Sequence, residues 1–205
     1  STVSIAHTQN STRMVPDADT NTTAAAVVIL EHHQTITTRL SDGTSIYTAE
    51  FWAIQKAIKW IQGHTGHLYL IITDSLSVAK SLSTGHTKSR PVMMEDTLSL
   101  LHQLHTTGKS IDILWVPSHI QLKGNDSAKL AAKQGLQTEH IETIQPSITE
   151  IYSQIIQDIN NKWQTMWDTS PLGRQLHTIQ QTVNRAHRNH PTQYNRNIQS
   201  DNTTH

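Results

Sequence analysis

The sequence has no cysteine. That excludes a disulfide framework, a thiol nucleophile and any Cys-ligated zinc or iron–sulfur centre. Net charge is missing as well: 16 Lys and Arg stand against 16 Asp and Glu over 205 residues. A histone-like polycation is thereby excluded, and any nucleic-acid contact has to come from a local patch. Charged residues make up only 16% of the chain, too few for a tail held open by electrostatic repulsion. The longest apolar runs, residues 24–30 and 68–72, fall far short of the roughly 18–20 residues that span a bilayer. With no signal peptide visible, the expected setting is intracellular, nuclear or cytoplasmic alike, and away from membranes. The chain opens at Ser1 without Met and reads as a piece of a longer polyprotein.

What is present is a 35% apolar fraction, 28 Thr and 14 His, enough for one modest core plus an appendage. Residues 24–30 (AAAVVIL) have the pattern of a strand covered on both faces. Residues 34–40 (QTITTRL) alternate as a paired edge strand does, with Asp42-Gly43 as a turn. Over residues 47–62 the period changes. Ile54, Ala57, Ile58 and Ile61 share one helical face, and Gly63 is the first interruption. Residues 68–73 predict a buried strand and 76–82 a short helix. Pro91 opens a longer helix, closed by Gly108, with Met94, Leu98, Leu101 and Leu104 or His105 as its inner stripe. A strand over 111–116 and a helix over 125–135 follow, the latter with Ala128, Ala131 and Ala132 permitting close approach to a neighbour. The order of strand, strand, strand, helix, strand, helix, helix, strand, helix argues for the α/β class, a mixed sheet flanked by helices.

Residues 1–140 are therefore expected to form one domain. Past Pro146, the steps Ile148, Ile151, Ile155, Ile159 and Trp163 predict an amphipathic helix that must pack on something. A second helix over 172–183 completes a helical extension, 146–183. Residues 184–205 show no period and read as a flexible tail. Residues 171–205 hold four Arg and one Asp, a net +3, read as a solvated tail in preference to a nucleic-acid arm.

Three residues invite chemistry. Glu50 heads the apolar row Glu50, Ile54, Ala57, Ile61 and so points at the sheet; an ordinary helix-start acid meeting the macrodipole would face water. Asp74 ends an apolar strand, at the carboxyl edge where open α/β sheets collect ligand groups, although an N-cap role is its commoner use. His119, in the run WVPSH, follows a strand end at the same edge. A loop His is more often a surface residue than an acid/base, but here the three converge.

The runs SIYTAEFWAI, YLIITDSLSVAKSL and WVPSHIQLKGNDSAKLAAK, in this order and spacing, resemble the ribonuclease H domain of metazoan non-LTR retrotransposon polyproteins. The resemblance covers residues 3 to about 136. The stretch 151–176, with WQTMWD and GRQL, is similar to the segment that follows this domain in those polyproteins. It implies a ribonuclease H-like fold, a five-stranded mixed sheet in the order 3-2-1-4-5 with helices on both faces. It also implies a parent polyprotein with reverse transcriptase, and hydrolysis of the RNA strand of an RNA–DNA hybrid by two carboxylate-held Mg²⁺ ions.

Matched residue by residue, Glu50, Asp74 and His119 take the places of the family's helix carboxylate, strand-end Asp and loop His. Where the family has its first Asp, in a TDGS-like motif, this chain has Thr8-Gln9-Asn10-Ser11. Where GNExAD ends in Asp, Gly124-Asn125-Asp126-Ser127-Ala128-Lys129 ends in Lys129. Two of four carboxylates are thus replaced and a cation is added, a change of three charges at a site meant for four positive ones. Glu50 and Asp74 with water would hold one Mg²⁺ or Mn²⁺ weakly or none, and a pair would need Asp126. The expected nucleic-acid contacts are Asn10, Ser11, Lys88, Arg90 and Lys129, with Lys129 near a phosphate in place of a metal's charge. The stretch Lys88-Ser89-Arg90 is too small for a hybrid-gripping protrusion and reads as a solvated connection. The expected function is a nucleic-acid-binding domain for RNA–DNA hybrid or duplex, with hydrolysis lost or much reduced. The alternatives are an active Mg²⁺-dependent hybrid ribonuclease and a structural or protein-interaction domain.

Overall fold

A computed structural model describes residues 2–11, 21–117 and 123–183. The chain forms two compact units, Ser1–Tyr152 and Ser153–His205. The expected tail 184–205 lies outside the described residues.

The first unit is built on a six-stranded sheet of β1 (Thr2–Ser11), β2 (Asn21–Ile29), β3 (Gln34–Leu40), β4 (Leu68–Thr73), β5 (Ser110–Trp115) and β6 (Ile141–Glu142). The spatial order is β5-β4-β1-β2-β3-β6. β1, β4 and β5 are parallel neighbours, and β2 runs antiparallel to both β1 and β3. This is the expected mixed sheet in the expected order, with one addition. The two-residue β6 extends the edge beside β3; so short a piece shows no periodicity in a sequence.

Alternation along β2 sends its side chains into two layers. Ala25, Val27 and Ile29 join the main core with α1 (Ile46–Gln62) and α3 (Pro91–Thr106). Ala26 and Val28 pack instead against Ala131, Ala132 and Ala128 of α4 (Lys123–Gly135). The alanines bring α4 close enough that a Cβ built on Gly135 would lie 2.5 Å from Thr37 Oγ1 and 3.4 Å from Ala24 Cβ. Thr37 Oγ1 cannot easily retreat, since it donates to the Ala131 carbonyl at 3.0 Å. Gly135→Ala should therefore destabilise the unit by about 1–3 kcal/mol in chemical denaturation, the range for overpacking.

Two local expectations are corrected. The buried line of α3 runs Met94, Thr97, Leu104, and Leu98 is exposed. The Thr97 hydroxyl donates to the Met93 carbonyl at 2.7 Å and so needs no water when buried. The apolar row of α5 (Ile148–Thr169) was expected to be packed; Ile151, Ile155, Ile159 and Trp163 are each about half exposed. Within the second unit, α6 (Arg174–Ile179) is tied to the end of α5. Arg174 donates to the carbonyls of Asp168 and Trp167, and Trp167 Nε1 to that of Gln180.

Candidate functional site

α1 begins at Ile46 because Ser45 caps it, its side chain accepting from the Thr48 amide at 3.2 Å. That start puts Glu50 in the second turn, past the reach of the helix dipole and in line with the apolar face. Its residue is only 8% exposed. Its carboxylate is received by the turn after β4: the Ser75 hydroxyl donates to Glu50 Oε2, and Ser77 Oγ reaches the same oxygen at 3.5 Å. Ser75 also caps α2 (Leu76–Thr84) by accepting from the Val78 amide at 3.3 Å. Ser75, and not Asp74, is thus the N-cap.

The Asp74 carboxylate forms an ion pair with Lys129. Its Nζ lies 3.0 Å from Asp74 Oδ2, with the two side chains 33% and 7% exposed. Asp74 is the first residue after β4, and Lys129 reaches it from the second turn of α4, on the other face of the sheet. Among the described residues, this edge brings together two carboxylates, Glu50 and Asp74, and one ammonium, Lys129. Trp115, the last residue of β5, donates its indole N–H to the Asp74 carbonyl at 3.2 Å.

The other expected residues are placed less closely. In β1, the β4 pairing runs to Ile5↔Thr73, so Asp74 falls level with Ala6. Gln9 pairs with Thr23, and Asn10 and Ser11 with Thr22 and Asn21. Gln9 is therefore three residues further along β1, about 10 Å at the rise of a strand. Asp126 is exposed in the first turn of α4. His119 lies outside the described residues. Lys88 is exposed.

Arg90 corrects the expectation of a solvated connection. Its side chain is 10% exposed, and all its guanidinium nitrogens are engaged inside the unit. Nη2 donates to Glu150, Nη1 to the Gln145 carbonyl, and Nε to Thr48 Oγ1 at 2.8 Å. Glu150 is the hub. Oε2 accepts from the Ser147 amide at 2.8 Å, while Ser147 Oγ accepts from the Glu150 amide at 3.2 Å, a reciprocal capping box at the start of α5. Oε1 accepts from the Ser45 amide at 2.8 Å and Thr48 Oγ1 at 2.7 Å. One carboxylate thus caps two helices. Burial by itself pushes the Glu150 carboxyl up, but the hydrogen bonds from Ser45, Ser147 and Thr48 outweigh it and bring it down to about 2. The Ser-Ile-Thr-Glu spacing at 147–150 was the sequence signal for the box; its reach to α1 and Arg90 is tertiary and had none.

With sheet order, helix layers and carboxyl-edge acids in place, the decisive comparison is with family models: that of RNase H matches residues 7–137. The chain belongs to the RNase H family. No curated protein matches it. Among solved structures, this RNase H chain is similar to a foamy viral protease-reverse transcriptase in complex with dsDNA. There the identity is 21% and the TM-score 0.51, covering 66% of this chain and 93% of that one. A second similar structure is a foamy viral protease-reverse transcriptase in complex with RNA/DNA hybrid, at 21% identity and TM-score 0.50, covering 66% of this chain. This chain spans 20% of that second polypeptide. At such identities the likeness is one of fold.

RNase H chemistry calls for divalent cations, and the described residues alone do not assemble the ligands of a pair. Among the described residues, no three His, Asp or Glu side chains gather to hold a metal ion. The ammonium of Lys129 is already seated on the carboxylate best placed to bind one. A divalent ion drawn to Asp74 would face that positive charge at close range, with Glu50 the nearby acid among the described residues.

Proposed function

We propose that this RNase H domain binds nucleic acid, RNA–DNA hybrid or duplex, with hydrolysis of the RNA strand lost or much reduced. It derives, on this reading, from a retrotransposon polyprotein with reverse transcriptase, a reading supported by the three motif runs in register. The observation that carries the functional reading is the Lys129–Asp74 pair at 3.0 Å. A fixed ammonium supplies the positive charge that a phosphate requires. Unlike a metal, it neither generates a hydroxide nucleophile nor stabilises a departing oxygen. Lys129, with its side chain one-third exposed, is a cation that this reading places at the sheet edge for a phosphate.

The test is a labelled RNA–DNA hybrid incubated with Mg²⁺ or Mn²⁺ and either the native chain or Glu50→Gln. No cleavage above that of the variant is expected. The hybrid should bind in EDTA, and Lys129→Glu should weaken binding and lower the salt slope by about one. Cleavage by the native chain that Glu50→Gln abolishes would establish the active-ribonuclease alternative instead.

A further inference from the structure

We infer that Trp115 is a stacking platform for an unpaired base, so that a single-stranded stretch beside the paired region adds to the affinity. The inference rests on the nucleic-acid reading above. The first unit holds three tryptophans. Trp52 and Trp60 are buried, 3% and 9% exposed, and their indole N–H groups are spent on Glu142 and Gln34. Trp115 differs: it is 40% exposed. Ile111 and Ile113, which precede it on the same face of β5, pack against the core, whereas Trp115 stands at the strand's last residue, beyond them.

A single exposed apolar side chain is ordinary. What sets Trp115 apart is the atom that holds it. Its N–H is bound to the main chain of Asp74 at 3.2 Å, while the side chain of the same Asp74 holds Lys129 at 3.0 Å. One residue thus anchors both an indole ring and an ammonium. The pair matches the two parts of a nucleotide, a flat π-face and a phosphate. An indole tied through its N–H at one edge is held in orientation, and the residue keeps 40% of its surface exposed. Bases inside a duplex already have partners on both faces, whereas an unpaired base has a face to offer, and stacking on an aromatic ring is tolerant of sequence.

The experiment measures binding in EDTA of two fluorescent probes, a single-stranded oligodeoxynucleotide and a blunt RNA–DNA hybrid. The proteins are the native chain, Trp115→Ala, Trp115→Phe and Lys129→Glu. Trp115→Ala should lose single-strand affinity by about thirtyfold, the middle of the range for base–aromatic stacking, and lose clearly less for the hybrid. The salt slope should stay as in the native chain, because no phosphate contact is removed. Trp115→Phe, which keeps a ring, should recover most of the loss. If Trp115→Ala fails to fold by thermal melting, Trp115→Leu carries the same test, since it fills space without a π-face. Equal losses on both probes, or none on either while Lys129→Glu still weakens binding, overturn the role of Trp115 and leave the nucleic-acid reading standing. Failure of the native chain to bind either probe overturns both.

Discussion

Glu150→Ala is expected to lower the stability of the first unit by about 3–5 kcal/mol, the cost of leaving a buried charge without its partner. Arg90 Nη2 would lose its carboxylate, and the amides of Ser45 and Ser147, at the starts of two helices, would lose their acceptor. Glu150→Gln keeps the shape and should cost less, since an amide oxygen still accepts one or two of these bonds. Urea denaturation of both variants checks the ranking. The same carboxylate sets an acid limit. Held at about 2 against an ordinary 4.5, it contributes stability that is fully present above about pH 4.5 and is lost as pH falls through about 2. A gap of that size corresponds to about 3 kcal/mol. The difference in stability between the native chain and Glu150→Gln should therefore shrink as pH drops from 5 toward 2. A difference that stays constant over that window would refute the assignment.

Lys129→Asp should act in the opposite way in the presence and absence of metal. Without divalent cation, the variant places a second carboxylate near the nearly buried Asp74 in place of an ammonium. The expected loss is about 1–3 kcal/mol, less than for a fully buried pair because Lys129 is one-third exposed. Millimolar Mn²⁺ should recover part of that loss in the variant and leave the melting temperature of the native chain unchanged. Thermal melts with EDTA and with Mn²⁺ read both arms. A native melting temperature that climbs with Mn²⁺ contradicts the account of the Lys129–Asp74 pair.

Much of the fold was legible because its elements have strong periods. The run Leu-Tyr-Leu-Ile-Ile-Thr of β4 and the row Ile54, Ala57, Ile58, Ile61 of α1 leave little choice of structure, and two layers of helix on one sheet follow from them. Glu50 was legible for the same reason, as a charge in an apolar row. Some choices between neighbouring residues are settled only by packing. Asp74 and Ser75 are both good helix caps, and only the tertiary position of Glu50 makes Ser75 the one that turns inward. Leu98 and Thr97 sit one step apart on α3, and the packed geometry selects the threonine. Other features have no local signature at all. β6 is two residues long, and the reach of Glu150 to Ser45 and Arg90 spans 60 to 105 positions. The identity of Lys129 at a family carboxylate position was plain in the sequence, whereas its salt bridge depends on how closely the alanines of α4 let that helix approach the sheet.

Calorimetric titration of Mn²⁺ into the native chain tests the central claim most directly. A site whose strand-end carboxylate already holds an ammonium should give no saturable heat at millimolar concentrations. Two ions bound per chain, with that heat abolished in Glu50→Gln, would contradict it.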